Sequence, residues 1–288
     1  MTSMTLIADD LALGYGTRRI VDSMSIAVER GRVTALLGPN GCGKSTLLRG
    51  LAGLLAPRQG GVTLDGVPLR NFPRKQLARR IAFLRQTQDI PEGLSVLDLV
   101  RHGRFAHRRL FGGESREDRE AVNWALDVTG LEPLRGRPLG ALSGGERQRV
   151  WIALALAQKA DILLLDEPTT YLDLGHQLEV MQTLKQLNDD FGLTLVMSLH
   201  DLNQAMRFAH RALVMHDGRL VADGKPADVL TPALLAGVFR VHAQILDGAA
   251  DGFPLCHPLS YPAAAAPAPM HDVLSLTSLT SRVSNDRS

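Results

Sequence analysis

Apolar positions along this chain follow two rhythms. Short unbroken runs recur at Val33-Thr34-Ala35-Leu36-Leu37, Ile162-Leu163-Leu164-Leu165 and Leu193-Thr194-Leu195-Val196-Met197-Ser198. Runs of that length without polar alternation predict parallel strands covered on both faces. The first run is bounded by glycine on both sides, and Leu47, Leu48, Leu51 and Leu54 follow it at helical spacing, so the stretch from Arg32 to Leu55 reads as strand, loop, helix. Ahead of it, Leu6-Ile7-Ala8 and Leu11-Ala12-Leu13 predict two short strands leading to Tyr15. Val62-Thr63-Leu64 running into Asp65-Gly66 predicts a hairpin turn, and Leu77 to Phe83 then lead to Gln86.

From about Thr87 to Lys159 the pattern becomes helical. Ser95 with Asp98, and Ser115 with Asp118, have the spacing of capping boxes ahead of the apolar sets Val96, Leu97, Leu99, Val100 and Val122, Ala125, Leu126. Val150 to Ala157 is the longest apolar run and suits a core helix; a membrane span needs about 20 such residues. Between the two boxes lies a basic stretch, Arg101 to Arg109, holding one aromatic residue, Phe105. It reads as a solvated face or a protein-docking edge. Nucleic acid is not expected as a partner, because the net charge of the chain is only +2.

Composition changes this picture little. With 288 residues and 45% hydrophobic content the chain has ample material for a core. Its two cysteines, Cys42 and Cys256, are too few for a disulfide framework or a zinc site, which points to a reducing compartment. Met1 to Asp10 carries two Asp and no basic start, so no export signal is expected, and a membrane role would run through a partner.

The chemistry sits where the runs end. After Leu37 comes Gly38-Pro39-Asn40-Gly41-Cys42-Gly43-Lys44-Ser45-Thr46, a GxxxxGK[ST] motif placed between a strand and a helix, as a phosphate site requires. Glycines let backbone N–H groups turn toward phosphate oxygens, and the helix start adds partial positive charge. Lys44 would supply a full charge to the β- and γ-phosphates, and the Ser45 hydroxyl would be a Mg²⁺ ligand. Ser143-Gly144-Gly145 opens the apolar helix that contains Val150 and forms a second anion-binding helix start. Ile162 to Leu165 ends in Asp166-Glu167, delivering two carboxylates to the end of the sheet where such folds bind ligands. One acid suits Mg²⁺ and the other suits polarising a water. His200 closes the next predicted strand, within reach of a γ-phosphate.

Together these stretches resemble the nucleotide-binding subunit of an ABC transporter, over roughly Leu6 to Leu246, with Leu142 to Glu146 as the most specific part. The resemblance implies an α/β P-loop NTPase fold. Residues 1–259 would form an ABC ATPase domain with a RecA-like core, an N-terminal antiparallel β-subdomain and a helical subdomain at about 87–160. It implies Tyr15 as the adenine-stacking residue, Gly38 to Thr46 as the Walker A loop and Gln86 as the Q-loop glutamine linking metal and γ-phosphate to the permease contact. It implies Ser143, Gly144 and Gly145 as the signature, Asp166 as the Walker B acid, Glu167 as the catalytic base, Asp173 as the D-loop acid and His200 as the switch histidine. ATP and Mg²⁺ would be the cofactors, with Ser45, Gln86 and Asp166 at the metal. A single motif set implies a homodimer with two ATP at its seam.

The stretches Thr169 to Val180, His200 to Ala205, Gly103-Arg104 with His107, and the ending from Val229 to Leu255 are similar to the iron-chelate importers, whose relatives carry haem or vitamin B12. Ala106 departs from that pattern, where Pro is common, and so does the sequence after about Ser260. Expected partners are two integral-membrane permease subunits and, indirectly, a periplasmic or lipid-anchored binding protein, with the chain peripheral on the cytoplasmic face of the bacterial inner membrane. Arg104 and Arg108 would line the permease groove, and Cys42 would make the ATPase sensitive to alkylation. Soluble ABC ATPases of DNA repair or the ribosome share the nucleotide motifs, but they carry two cassettes, a coiled-coil insertion or zinc cysteines, none of which is visible here. Residues 260–288, rich in Pro, Ala and Ser, have the composition of a flexible tail.

Overall fold

The computed structural model describes residues 4–86, 93–108, 113–248 and 252–261. The start of the expected helical section at Thr87, and all of the expected tail beyond Tyr261, lie outside the described residues. Two sheets organise the chain. A four-stranded antiparallel sheet, in the order β2-β1-β4-β5, is built from β1 (Met4–Tyr15), β2 (Arg18–Glu29), β4 (Gln59–Leu64) and β5 (Val67–Pro68). A six-stranded sheet holds β3 (Val33–Leu37), β6 (Ile81–Leu84), β7 (Ile162–Asp166), β8 (Thr194–Ser198), β9 (Arg211–His216) and β10 (Arg219–Gly224), in the order β10-β9-β3-β8-β7-β6. All its neighbours pair in parallel except β10, which turns back on β9. A separate hairpin joins β11 (His242–Leu246) to β12 (Leu255–Ser260).

The unbroken apolar runs are explained by what covers them. Every residue of β3, β7 and β8 is buried. Strand residues alternate between faces. Val33, Leu163, Leu165, Leu195 and Met197 therefore pack into a core shared with α3 (Val96–His102), α4 (Arg116–Val128), α5 (Gly144–Ala157) and α6 (Leu174–Phe191). Leu36, Ile162, Leu164 and Val196 point the other way, onto α1 (Lys44–Leu51) and the inner face of the antiparallel sheet, while the short α2 (Arg74–Ala78) leads into β6. With helices on one side and a sheet on the other, no position along these strands faces water, and Thr34 within β3 is buried with its hydroxyl unpartnered among the described residues.

The two short strands expected before Tyr15 are one strand, β1, irregular between Ala8 and Leu11. Asp10 there takes a left-handed backbone, φ 45°, and its carboxylate accepts from Ser23 and Gln59. The interruption in the apolar pattern is thus a bulge within a continuous ladder. The Asp65-Gly66 hairpin lies where expected. The capping boxes at Ser95 and Ser115 both form, each hydroxyl accepting from the backbone of the Asp three residues on.

The basic stretch departs from expectation at its centre. Arg104 is buried, 5% exposed, and pairs with Asp118 at 2.8 Å while donating to Ala157 O at 2.9 Å. It joins the turn after α3 to α4 and to the last residue of α5, so it cannot line a docking groove. Arg108 is exposed, and its carbonyl accepts from Lys75. Among the described residues no helix is long and apolar enough to cross a membrane.

Burial alone would raise the Asp118 pKa, but Arg104 and then Ser115 outweigh it and hold the carboxyl at about 2, against an ordinary 3.8. Its lowered pKa means that the stability it contributes is present above about pH 4 and is lost as pH falls toward 2. Removing one partner leaves a buried charge alone, so Arg104→Met is expected to cost about 3–5 kcal/mol in urea unfolding at pH 7. The variant should also show a weaker loss of stability between pH 4 and 2 than the parent chain. A variant with unchanged unfolding midpoint would contradict the pairing.

Candidate active site

The site collects at the C-terminal ends of four adjacent parallel strands, β3, β8, β7 and β6, which present the glycine-rich loop, His200, the two acids and Gln86 in that spatial order. Sequence order could not supply this arrangement, because β8 inserts between β3 and β7.

The loop leaves β3 at Gly38, whose φ of 144° no other residue adopts comfortably. A Cβ at this position would also stand 2.2 Å from Met215 O. The chain turns through Pro39, Asn40, Gly41 and Gly43 into α1, whose first-turn N–H groups have no intrahelical acceptor. Lys44 is buried, and its ammonium is held in the hollow of the loop by Gly38 O at 2.7 Å and Pro39 O at 3.2 Å. Thr46 is buried one turn into the helix. The Tyr15 hydroxyl accepts from Arg49 at 2.8 Å, which ties that half-exposed ring to the same helix.

Asp166 joins the loop to the sheet. It is 3% exposed, and one of its oxygens, Oδ1, accepts from Ser45 Oγ at 3.0 Å and from Ser198 Oγ at 2.8 Å. Ser198 in turn accepts from the Glu167 N–H at 2.8 Å. Glu167 adopts φ 52°, which turns its side chain away from that of Asp166. Its carboxylate lies 2.6 Å from His200 Nε2 at one oxygen and accepts from Gln86 and, at 3.0 Å, from Thr170 at the other. Gln86, Glu167 and His200, far apart in sequence, thus form one hydrogen-bonded cluster.

Ser143 to Gly145 form a second group. Ser143 caps α5, and a third capping box links it to Glu146, whose carboxyl is held below its ordinary range chiefly by the Ser143 N–H. Gly145 packs directly against His176: an added Cβ would stand 2.3 Å from the imidazole. His176 bonds Asp173, the N-cap of α6, through both its backbone N–H and its ring nitrogen. That backbone bond is also the main reason the Asp173 carboxyl is lowered. Gln148 ties this helix to Pro168 O at 2.8 Å, just past the acids. Among the described residues no hydrogen bond or ion pair joins Ser143, Gly144 or Gly145 to the phosphate loop of the same chain.

Three residues at the site carry no motif signal strong enough to single them out: Ser198, Thr170 and His176. Ser198 had a faint one, as the polar residue closing an apolar strand beside the acid-bearing strand. Cys42 is corrected. Its thiol is 4% exposed beneath the loop, and burial pushes its pKa up, so little of it is thiolate at neutral pH.

Comparison with known proteins agrees with this geometry. The ABC transporter family profile matches residues 21–170. The iron(3+)-hydroxamate import ATP-binding protein FhuC of Bacillus subtilis (strain 168) is 45% identical over 252 residues, covering 88% of this chain and 94% of that protein. The ferric enterobactin transport ATP-binding protein FepC of Escherichia coli (strain K12) is 42% identical, covering 88% and 94%. The dimeric structure of MJ0796, a bacterial ABC transporter cassette, superposes with a TM-score of 0.67 at 31% identity, covering 77% of this chain and 98% of that one.

At pH 7 the buried, weakly acidic Cys42 is expected to react with N-ethylmaleimide at least ~10-fold more slowly in the folded chain than in urea. Mass spectrometry of timed quenches measures this; equal rates would show the thiol to be open to solvent.

Proposed function

This chain belongs to the ABC transporter family, and from that premise we propose that it is the ATP-hydrolysing subunit of an importer for ferric siderophores. It hydrolyses ATP to power transport, as members of its family do. The observation that carries the catalytic reading is the Glu167 carboxylate, held by His200 and Gln86 on either side, one residue from an acid bonded to the phosphate-loop serine. The siderophore assignment is supported by the hydroxamate and enterobactin systems of its relatives.

Within this reading, Lys44 meets the β- and γ-phosphates, and the N–H groups of Gly41 to Thr46 surround them. Tyr15 stacks on the adenine. Glu167 accepts a proton from the attacking water as general base, and Thr170, Gln86 and His200 fix its orientation. His200 then stands beside the transferred phosphoryl group, where its N–H meets developing charge.

The site suits Mg²⁺. Asp166 is buried with no cationic side chain paired to it among the described residues, and its Oδ2 accepts no hydrogen bond there. A buried charge in that state calls for a cation. Ser45, Asp166 and Gln86 offer the oxygen donors a hard divalent ion takes. Bound there, it would neutralise phosphate charge. Asp166 keeps Ser45 and Ser198 in place around it.

Two copies would complete the site. Among the described residues no hydrogen bond or ion pair joins Ser143 to Gly145 to their own phosphate loop, and the similarity to a dimeric cassette supports their meeting the γ-phosphate bound by the partner, with Asp173 at the seam. The dimer would sit on two permease subunits at the cytoplasmic face of the inner membrane, fed by a periplasmic or lipid-anchored binding protein. Exposed Arg108, and not Arg104, is the residue left to face the permease.

Glu167→Gln is expected to bind ATP, to lose about 10²–10⁴ in turnover and to accumulate an ATP-dependent dimer in light scattering. Retained turnover would remove Glu167 as the base. Arg108→Glu should lower uptake of iron-55 hydroxamate by cells while leaving the ATPase rate of the purified chain unchanged. Normal uptake by that mutant would place the permease contact elsewhere.

A further inference from the structure

The six-stranded sheet has an end opposite the catalytic one. At its foot, opposite Asp166 and Glu167, a cavity of about 250 Å³ opens where the starts of β7 and β8 meet α4, the end of α5 and the end of α6. Its apolar walls include Leu156, Trp124 and Phe191, the two rings meeting edge to face with centroids 5.3 Å apart. Three charged side chains also line it, Arg30, Lys159 and Asp161. Two of these are already satisfied: Arg30 donates to Asp65 at 2.7 Å, and Asp161 accepts from Arg80. Lys159 has no carboxylate partner among the described residues. Its ammonium rests on the Trp124 ring, 3.1 Å from the centroid.

The backbone adds a second observation. Lys159 follows α5 with φ 51°, the left-handed conformation in which glycine is the usual helix-ending residue. A long charged side chain at this position sets an ammonium at the cavity wall, at the expense of backbone comfort. Lys159 is solvent-exposed beside the ring, so a ligand carboxylate can reach its ammonium from water. At about 250 Å³ the cavity lies just below the ~300–1,000 Å³ of ordinary small-molecule pockets, so its ligand would be a small one.

We propose that this cavity binds a small aromatic carboxylate, its ring packed against Leu156 and the outer side of the Phe191–Trp124 pair and its carboxylate on the Lys159 ammonium. The position gives such a ligand a lever on catalysis. α5 runs from Ser143 to this cavity, and β7 runs from the cavity to Asp166, so one occupant touches the far end of both elements.

The test is calorimetric titration of the full chain, its nucleotide site filled with ADP, with 2-naphthoate as probe and Trp fluorescence followed in parallel. Saturable binding with a Kd of about 1 mM is expected from the size of the probe. The uncharged isostere 2-naphthamide should bind ~10-fold more weakly, and Lys159→Met should weaken naphthoate by a similar factor, because each removes one charge-assisted contact. Lys159→Arg, which keeps the charge, should bind within ~3-fold of the parent and shows that the site tolerates substitution. The proposal is overturned if no saturable binding appears up to ~10 mM of probe, well above the expected Kd. Equal affinity for acid and amide would overturn it too.

Discussion

Everything at the catalytic end depends on one buried carboxylate. Asp166 ends a strand whose every residue is covered, so it is the first position at which β7 can place a charge, and burial denies that charge to water. Its Oδ1 is shared by Ser45 from the phosphate loop and Ser198 from the neighbouring strand, so three segments distant in sequence converge on one atom. Hydrogen bonds to an ionised group contribute about 1.5–3 kcal/mol each. Ser198 passes the constraint on through the Glu167 N–H, and the left-handed backbone at Glu167 then turns the second acid toward Gln86 and His200. Two adjacent carboxylates thereby receive different surroundings, one among hydroxyls and one between an amide and an imidazole, which is the condition for different roles.

The helical section is held by an analogous device of its own. Arg104 and Asp118, both nearly excluded from solvent, pair across the junction of α4 with the turn after α3, and the arginine also donates to the end of α5. Asp118 serves in the capping box of α4 at the same time. Replacing a buried pair of this kind by apolar residues is often neutral, whereas removing one partner leaves the other charge uncompensated. The pair links the end of α5 to α4 and to the turn after α3.

The two ends of α5 and β7 have different characters. At one end Ser143 and Asp166 belong to the nucleotide machinery. At the other, Lys159 and Asp161 border a cavity whose aromatic walls come from α4 and α6. β7 is buried along its whole length and α5 along the face that meets it, so the foot and the site are joined by two continuous elements.

Much of this was legible in the amino-acid order. A loop of glycines between an apolar strand and a helix, two acids ending another apolar run, and a serine with a glutamate three residues on are local patterns, and local backbone chemistry is enough to interpret them. The strand at Arg18–Glu29 and the pair at Arg211–Gly224 were less legible, because each borrows its regularity from a neighbouring strand. Arg104 looked like a surface charge, since no local pattern reveals that an aspartate fourteen residues on will be buried beside it. Ser198, Thr170 and His176 acquire meaning only once β8 has inserted between β3 and β7 and α6 has been laid against Gly145. Sequence determined which groups are present and how each short segment bends. Tertiary structure decided which of them share an atom, because hydrogen bonds and burial act over a few ångströms of space, whatever the distance along the chain.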